Sequence, residues 1–215
     1  MNLEDKNKHV KKVLKLIFVG DMGTGKTSFI RQFVSGVFSE FYKSTIGVDF
    51  AHKSIEWDEN TTIDLQLWDI SGQERFEKLT RMFYQESVGA YILFDVNDLN
   101  TLDTAKFWKE DIDEKVLTDK NEPIPCVLLG NKCDLVKSFE WGKTKEEMDQ
   151  FCKENKYIGF FETSARERTN VDESINFIIK YILDNDIGPY RPDTSKCVPV
   201  QQQNPDPEPK KSCCK

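Results

Sequence analysis

The feature that most constrains this chain is Gly20-Asp21-Met22-Gly23-Thr24-Gly25-Lys26-Thr27, a match to the pattern GxxxxGK[ST]. It sits between Val13–Val19, an apolar run whose only charge is Lys15 and which predicts a strand, and Ser28–Val34, which predicts a helix. Glycines at this spacing let successive backbone N–H groups converge on phosphate oxygens. The helix N-terminus behind them adds positive potential. Lys26 is then placed to reach β- and γ-phosphates, and the Thr27 hydroxyl to ligate Mg²⁺. The candidate phosphate cradle is therefore Asp21, Met22, Gly23, Thr24, Gly25, Lys26, Thr27 and Ser28.

A strand that feeds a phosphate loop and a helix opens an α/β sheet, and the remaining patterns keep to that plan. Gly47–Trp57 and Thr62–Ile70 flank Asp58-Glu59-Asn60 and read as a hairpin. Val88–Val96 and Ile124–Gly130 are almost continuously apolar, as suits parallel strands covered on both faces. Thr101–Leu117 and Val171–Leu183 carry apolar residues at helical spacing. Thr144–Glu154 opens with Thr144 and Glu147 in capping-box register, and Ile158–Phe161 predicts a further strand. The sum is a mostly parallel six-stranded sheet with helices on both faces. At 215 residues the chain has room for one well-buried core, assigned to residues 12–185. Residues 1–11 are expected to be a flexible lead. Residues 186–215 hold Pro189, Pro192, Pro199, Pro205, Pro207 and Pro209, six of the eight prolines, and predict a flexible tether.

Two further constellations carry chemistry. Asp69 follows Leu65-Gln66-Leu67-Trp68 and can hold Mg²⁺ directly or through a water. Gly72, three residues later, leaves a backbone N–H for a γ-phosphate, and Gln73 can orient an attacking water. Asn131-Lys132-Cys133-Asp134 follows Val127–Gly130, at the strand end where open sheets bind ligands. The Asp134 carboxylate can accept from both N1–H and the 2-amino group of guanine. Adenine offers neither donor, and a buried carboxylate left unpaired is costly. The Lys132 stem can cover one face of the base, and Ser164-Ala165 can bring a backbone N–H to guanine O6.

A net charge of −7 argues against nucleic acid as the main partner, since backbone binding needs clustered cations. The six cysteines lack disulfide or zinc spacing. Cys126, Cys133 and Cys152 are expected to be small core residues in a reducing compartment. The polar start predicts no signal peptide, and no apolar run is long enough to span a membrane.

In this order the motifs resemble those of the Ras-like small GTPases, and of the Rab family in particular, over about residues 12–185. GDMGTGKT, WDISGQERF, NKCD and ETSAR carry the likeness, with STIGVDF at 44–50 similar to a Rab first switch. The resemblance implies a P-loop NTPase fold whose six-stranded sheet is flanked by five helices. It implies a trafficking switch that recruits effectors in its GTP state and hydrolyses GTP to GDP and phosphate, with Lys26, Gly72 and Gln73 in catalysis. Thr45 would close over Mg²⁺ with Thr27 and Asp69, Phe38 would pack on the guanine, and Arg166 stands where a Lys is usual. Phe50, Trp68 and Phe83 match the aromatic triad that Rabs present to effectors. Cys213 and Cys214 match the cysteines that carry geranylgeranyl groups. Implied partners are an exchange factor, an activating protein, effectors, escort and GDP-dissociation-inhibitor chaperones, and the membrane itself. The implied location is the cytoplasmic face of intracellular membranes of endolysosomal, phagosomal or lysosome-related organelles, with a soluble cytosolic pool. WDI, PIPCVLLGNKCD, DQFCKEN and FFETSAR are similar to the subgroup that serves lysosome-related organelles. Met22 and Ser71 depart from the usual residues beside the γ-phosphate. Crowding by Met22 would slow intrinsic hydrolysis, and a nucleotide-gated scaffold with little turnover is the alternative reading.

Overall fold

The computed structural model describes residues 9–41, 44–72 and 80–190. In chain order the elements are β1 (Val10–Val19), α1 (Lys26–Ser35), β2 (Val48–Asp58), β3 (Thr61–Ile70) and α2 (Thr80–Tyr84). There follow β4 (Gly89–Asp95), α3 (Asn100–Lys115), β5 (Cys126–Asn131), α4 (Lys145–Glu154), β6 (Gly159–Thr163) and α5 (Val171–Asp184). The strands form one sheet in the order β2-β3-β1-β4-β5-β6. β2 and β3 pair antiparallel, and every other pairing in the sheet is parallel.

Alternation along each strand feeds two cores. On β1, Leu14, Leu16 and Phe18 join the core beneath α1 and α5, whereas Ile17 and Val19 join the core beneath α3 and α4. β4 and β5 are covered on both sides, which is why their sequences are apolar without alternation. Tyr91 stacks on Phe18 at 4.7 Å, and its buried hydroxyl donates to the Ser174 carbonyl at 2.9 Å, so the sheet centre is locked to α5 with no unpaired phenol.

The observed elements refine the sequence reading in five places. β1 starts at Val10 and not Val13, so the lead expected over residues 1–11 ends inside a strand. Its first residues pair with β3 but lie open to solvent, where Lys11 meets Asp64 at 2.7 Å, and hydrophobic patterning cannot reveal such a stretch. β5 starts at Cys126 because Pro123 and Pro125 have no N–H for the ladder. α2, the fifth helix, is too short to show a helical period. Cys133 is only half-buried in a turn, unlike the buried Cys126 and Cys152, because it lies past the end of β5.

The fifth refinement concerns the expected tether. Gly188 accepts from the Asp119 N–H at 3.0 Å and donates to the Asp119 carboxylate at 3.1 Å, while Lys120 donates to the Asn185 carbonyl at 2.5 Å. Residues 186–190 therefore belong to the folded unit. Among the described residues no helix is long and apolar enough to cross a membrane.

The capping box at α4 forms as the sequence predicts, with Thr144 and Glu147 each bonding the other's backbone N–H. Thr144→Ala removes the side-chain acceptor and is expected to lower stability by about 1 kcal/mol. Urea unfolding should show a lower midpoint at unchanged slope; an unshifted midpoint would remove the cap from the stability argument.

Candidate functional site

Residues of the phosphate loop, the first switch motif, the Asp69–Gly72 stretch and the base motif meet at one cleft of about 270 Å³ at the C-terminal ends of the parallel strands, lined among others by Lys26, Thr27, Phe38, Thr45, Gly72 and Asp134. One wall is the loop from β1 to α1. Gly25 caps α1 with a φ of +95°, and a Cβ there would lie 2.2 Å from the Asn131 amide nitrogen, so two independent constraints require glycine. The Lys26 side chain folds back beneath the loop and is 6% exposed, its ammonium donating to the carbonyls of Gly20 at 2.7 Å and Asp21 at 2.9 Å. Burial lowers its pKa to about 8, against the opposing pull of Asp69 and Asp21. Gly23, Thr24 and Ser28 complete the loop and the start of α1. Thr24 is fully buried, its hydroxyl donating to the Asp21 carbonyl at 2.9 Å.

Thr27, Thr45 and Asp69 converge at the phosphate end. The Thr27 and Thr45 hydroxyls are 2.7 Å apart, and both reach Asp69 Oδ2, Thr45 at 3.3 Å. Desolvation pushes the Asp69 carboxyl upward, partly countered by the Thr27 bond and by Lys26. Its other oxygen, Oδ1, is buried with no hydrogen-bond partner among the described residues. An orphaned carboxylate oxygen beside two hydroxyls is a hard, oxygen-only donor set that a divalent cation would satisfy, so these residues fit Mg²⁺. Gly72 lies hard against the phosphate loop, where a Cβ would meet the Met22 nitrogen at 2.4 Å.

The base end is built from β5 and β6. Asn131 is 1% exposed and ties the phosphate loop to the end of β6 and the loop that follows it. Its amide donates to the Thr24 carbonyl at 2.8 Å, and its oxygen accepts from the Ala165 N–H at 3.2 Å and the Thr163 hydroxyl at 3.3 Å. Lys132 has a φ of +67° and is held by Asp95 at 2.6 Å. Asp134 accepts from the Ser164 hydroxyl at 2.6 Å, which fixes its carboxylate at the cleft wall. The Ser164 and Ala165 N–H groups, expected to meet guanine O6, are bonded within the protein to Thr169 and Asn131. Arg166 crosses the cleft mouth to Glu40 at 3.0 Å, near Phe38.

Three outcomes differ from simple expectation. The Asp21 carboxylate turns away from the cleft toward α3, and only its carbonyl serves the cradle. Met22 is 58% exposed where it lines the cleft mouth, more open than the crowding expectation assumes, and the Gln73 it is expected to crowd lies outside the described residues. Asp95, which aims Lys132, is a site residue that the sequence reading misses, although it ends its strand much as Asp69 does. Gln73, Cys213 and Cys214 lie outside the described residues.

Outside the cleft, Phe50 and Trp68 meet edge to face at 5.8 Å, and Trp68 and Phe83 both pack against the core beneath α3. The Lys15 ammonium lies 4.0 Å from the Trp68 ring centre and donates to the Gln85 carbonyl at 2.7 Å, tying this aromatic surface to the segment after α2.

Fold and cleft together define a P-loop nucleotide-binding protein of the small G-domain type. The sequence profile of the Ras family matches residues 15–184, and the chain belongs to that family, within its Rab branch. It is 50% identical over 205 residues to the Ras-related protein Rab-32A of Dictyostelium discoideum, covering 94% of this chain and 93% of the relative. Identity to human Ras-related protein Rab-32 is 42% over 203 residues, covering 94% and 89% of the two chains. Human Ras-related protein Rab-7L1 is 41% identical over 173 residues, 80% and 84% of the respective chains. As a small GTPase the chain is a GTP hydrolase, and it binds GTP, GDP and Mg²⁺.

Gly25→Ala is expected to force the backbone out of the left-handed region and push Asn131 off Thr24. GDP should then be lost during gel filtration, with a melting point several degrees lower, roughly the effect of 1–3 kcal/mol. A variant that retains GDP and melts like wild type would refute the double constraint.

Proposed function

We propose that this chain is a membrane-trafficking switch in which Thr45 and Gly72 sense the γ-phosphate. The single observation that carries the proposal is the convergence of Thr45, from the loop before β2, on Thr27 and Asp69. A residue from a loop that can close on the phosphate end lets the presence of one phosphoryl group set the shape of the outer surface.

Thr27, Thr45 and Asp69 would hold Mg²⁺, which when bound neutralises phosphate charge. The Lys26 ammonium has a third N–H beyond those on Gly20 and Asp21, which is left for β- and γ-phosphate oxygens. Gly72 offers its backbone N–H to the γ-phosphate, and Gln73 orients the water. The water oxygen attacks the γ-phosphorus in line, the bond to the β–γ bridging oxygen breaks, and GDP and phosphate leave with the water's protons. Preorganised donors in a water-poor cleft stabilise the charge that develops on the transferred group. Once phosphate leaves, Thr45 and Gly72 lose their partner, and both switch segments relax.

The surface around Phe50, Trp68 and Phe83 lies next to those segments and is the effector face of this reading. An exchange factor, an activating protein and a GDP-dissociation inhibitor act on the same cycle. Geranylgeranyl groups on Cys213 and Cys214 hold the protein to the cytoplasmic face of endolysosomal or lysosome-related membranes. Two chains give stable attachment where one exchanges. The similarity to proteins named Rab-32 and Rab-7L1 supports placing it in that trafficking branch.

Asp134 is the test of base selectivity. Asp134→Asn replaces an acceptor of two guanine protons with an amide that can donate to the 2-carbonyl of xanthine. Binding titrations should show GDP affinity falling by about 100-fold or more while XDP binding rises. Equal affinity of the wild type for ADP and GDP would end the guanine assignment. A second measurement addresses turnover. With its side chain at the rim, Met22→Ser should change single-turnover GTP hydrolysis by less than about threefold, and a large acceleration would restore the crowding argument and the low-turnover scaffold.

A further inference from the structure

The nucleotide site has a support that the phosphate chemistry does not use. Asp21 points its carboxylate into the α3 helix, where Oδ2 lies 2.5 Å from the Thr104 hydroxyl and Oδ1 accepts from the Trp108 indole N–H at 3.0 Å. Thr104 Oγ1 is also 3.0 Å from the Thr101 carbonyl, the ordinary back-bond of a helical threonine, but the shorter contact is to the carboxylate. Trp108 is fully buried among the residues of the α3 core. Its ring therefore cannot swing to follow a moving loop.

Asp21 also ties the phosphate cradle together through its backbone. The Asp21 carbonyl accepts from the Lys26 ammonium at 2.9 Å and from the Thr24 hydroxyl at 2.9 Å. On its outer side the peptide between Asp21 and Met22 is so close to Gly72 that a Cβ there would lie 2.7 Å from the Asp21 carbonyl carbon and 2.4 Å from the Met22 nitrogen. One peptide thus touches the phosphate lysine, Gly72 and, through the Asp21 side chain, α3.

We propose that Thr104 and Trp108 are positioning residues for nucleotide binding, acting through Asp21 to hold the Asp21 carbonyl, and with it Lys26, at the phosphates. This rests on the reading of the cleft as a guanine-nucleotide site. α3 thereby becomes a second input to that site, separate from either switch. A carboxylate that accepts from two neutral donors on one rigid helix is fixed in position and rotation, whereas either donor alone leaves it free to turn.

The test uses the full chain, loaded with a fluorescent GDP analogue and chased with excess GDP at constant Mg²⁺. Trp108→Phe keeps a buried ring and removes the donor, and Thr104→Val keeps the shape and removes the other. Each is expected to speed GDP release by roughly tenfold, the scale of one hydrogen bond to a charged group. In an Asp21→Ala background, already fast, neither should speed release further, because their target is gone. Asp21→Asn keeps an oxygen acceptor and should recover part of the slow release. Circular dichroism melts confirm that each variant is folded, and Thr104→Val carries the test if Trp108→Phe does not fold. Release at the wild-type rate in the folded single variants overturns the proposal. So does an acceleration of equal size in the presence and absence of Asp21, which would assign the effect to packing alone. A wild type that retains no guanine nucleotide would instead overturn the reading of the cleft, and the clamp with it.

Discussion

The Asn131 side chain is the point on which the cleft depends. It ends β5, between β4 and the edge strand β6, and its amide reaches the phosphate loop while its oxygen collects the end of β6 and the loop after it. A buried amide with both ends satisfied fixes distances that neither loop could hold alone, because leaving either end unpaired in that environment is costly. Gly25 is the complementary surface. The absence of a side chain there is what lets the amide approach, so the phosphate and base ends are keyed to each other by one polar contact and one missing Cβ. The base motif and the phosphate motif therefore form a single unit, although 105 residues separate Lys26 from Asn131.

Electrostatically the cleft is poised and incomplete. Lys26 and Asp69 are of opposite sign, yet burial disfavours the charged form of each more than their attraction compensates. A polyphosphate with a divalent cation supplies what both lack, anionic oxygens for the ammonium and a positive charge for the orphaned carboxylate oxygen. The same logic explains why Thr45 matters to shape. Its hydroxyl can join the arrangement only when the loop before β2 comes inward.

Away from the cleft, the fold ties its outer surfaces to fixed elements. Lys15 on β1 holds Trp68 by its charge and the segment after α2 by a hydrogen bond, and burial lowers its pKa to about 8 even with Glu86 opposing. At the opposite end, Asp119 and Lys120 pin residues 185–188, so the folded unit continues past the end of α5.

The sequence by itself determined the phosphate loop, the order of the strands and of every helix but α2, the capped start of α4 and the residue types at the base end. Each of these is local: a glycine spacing, a hydrophobic period, or a short run at the end of an apolar strand. Tertiary structure alone decided that β1 begins at Val10, that residues 186–190 belong to the domain, and that Asp95 steers Lys132. It also decided that Asp21 serves the site with its carbonyl while its carboxylate grips α3. In every such case the partners lie far apart in the chain, and a carboxylate or a solvent-facing lysine looks the same in sequence whatever it meets. Periodicity reports which face of an element is buried, but only the packed neighbour determines what a polar side chain on that face will bond.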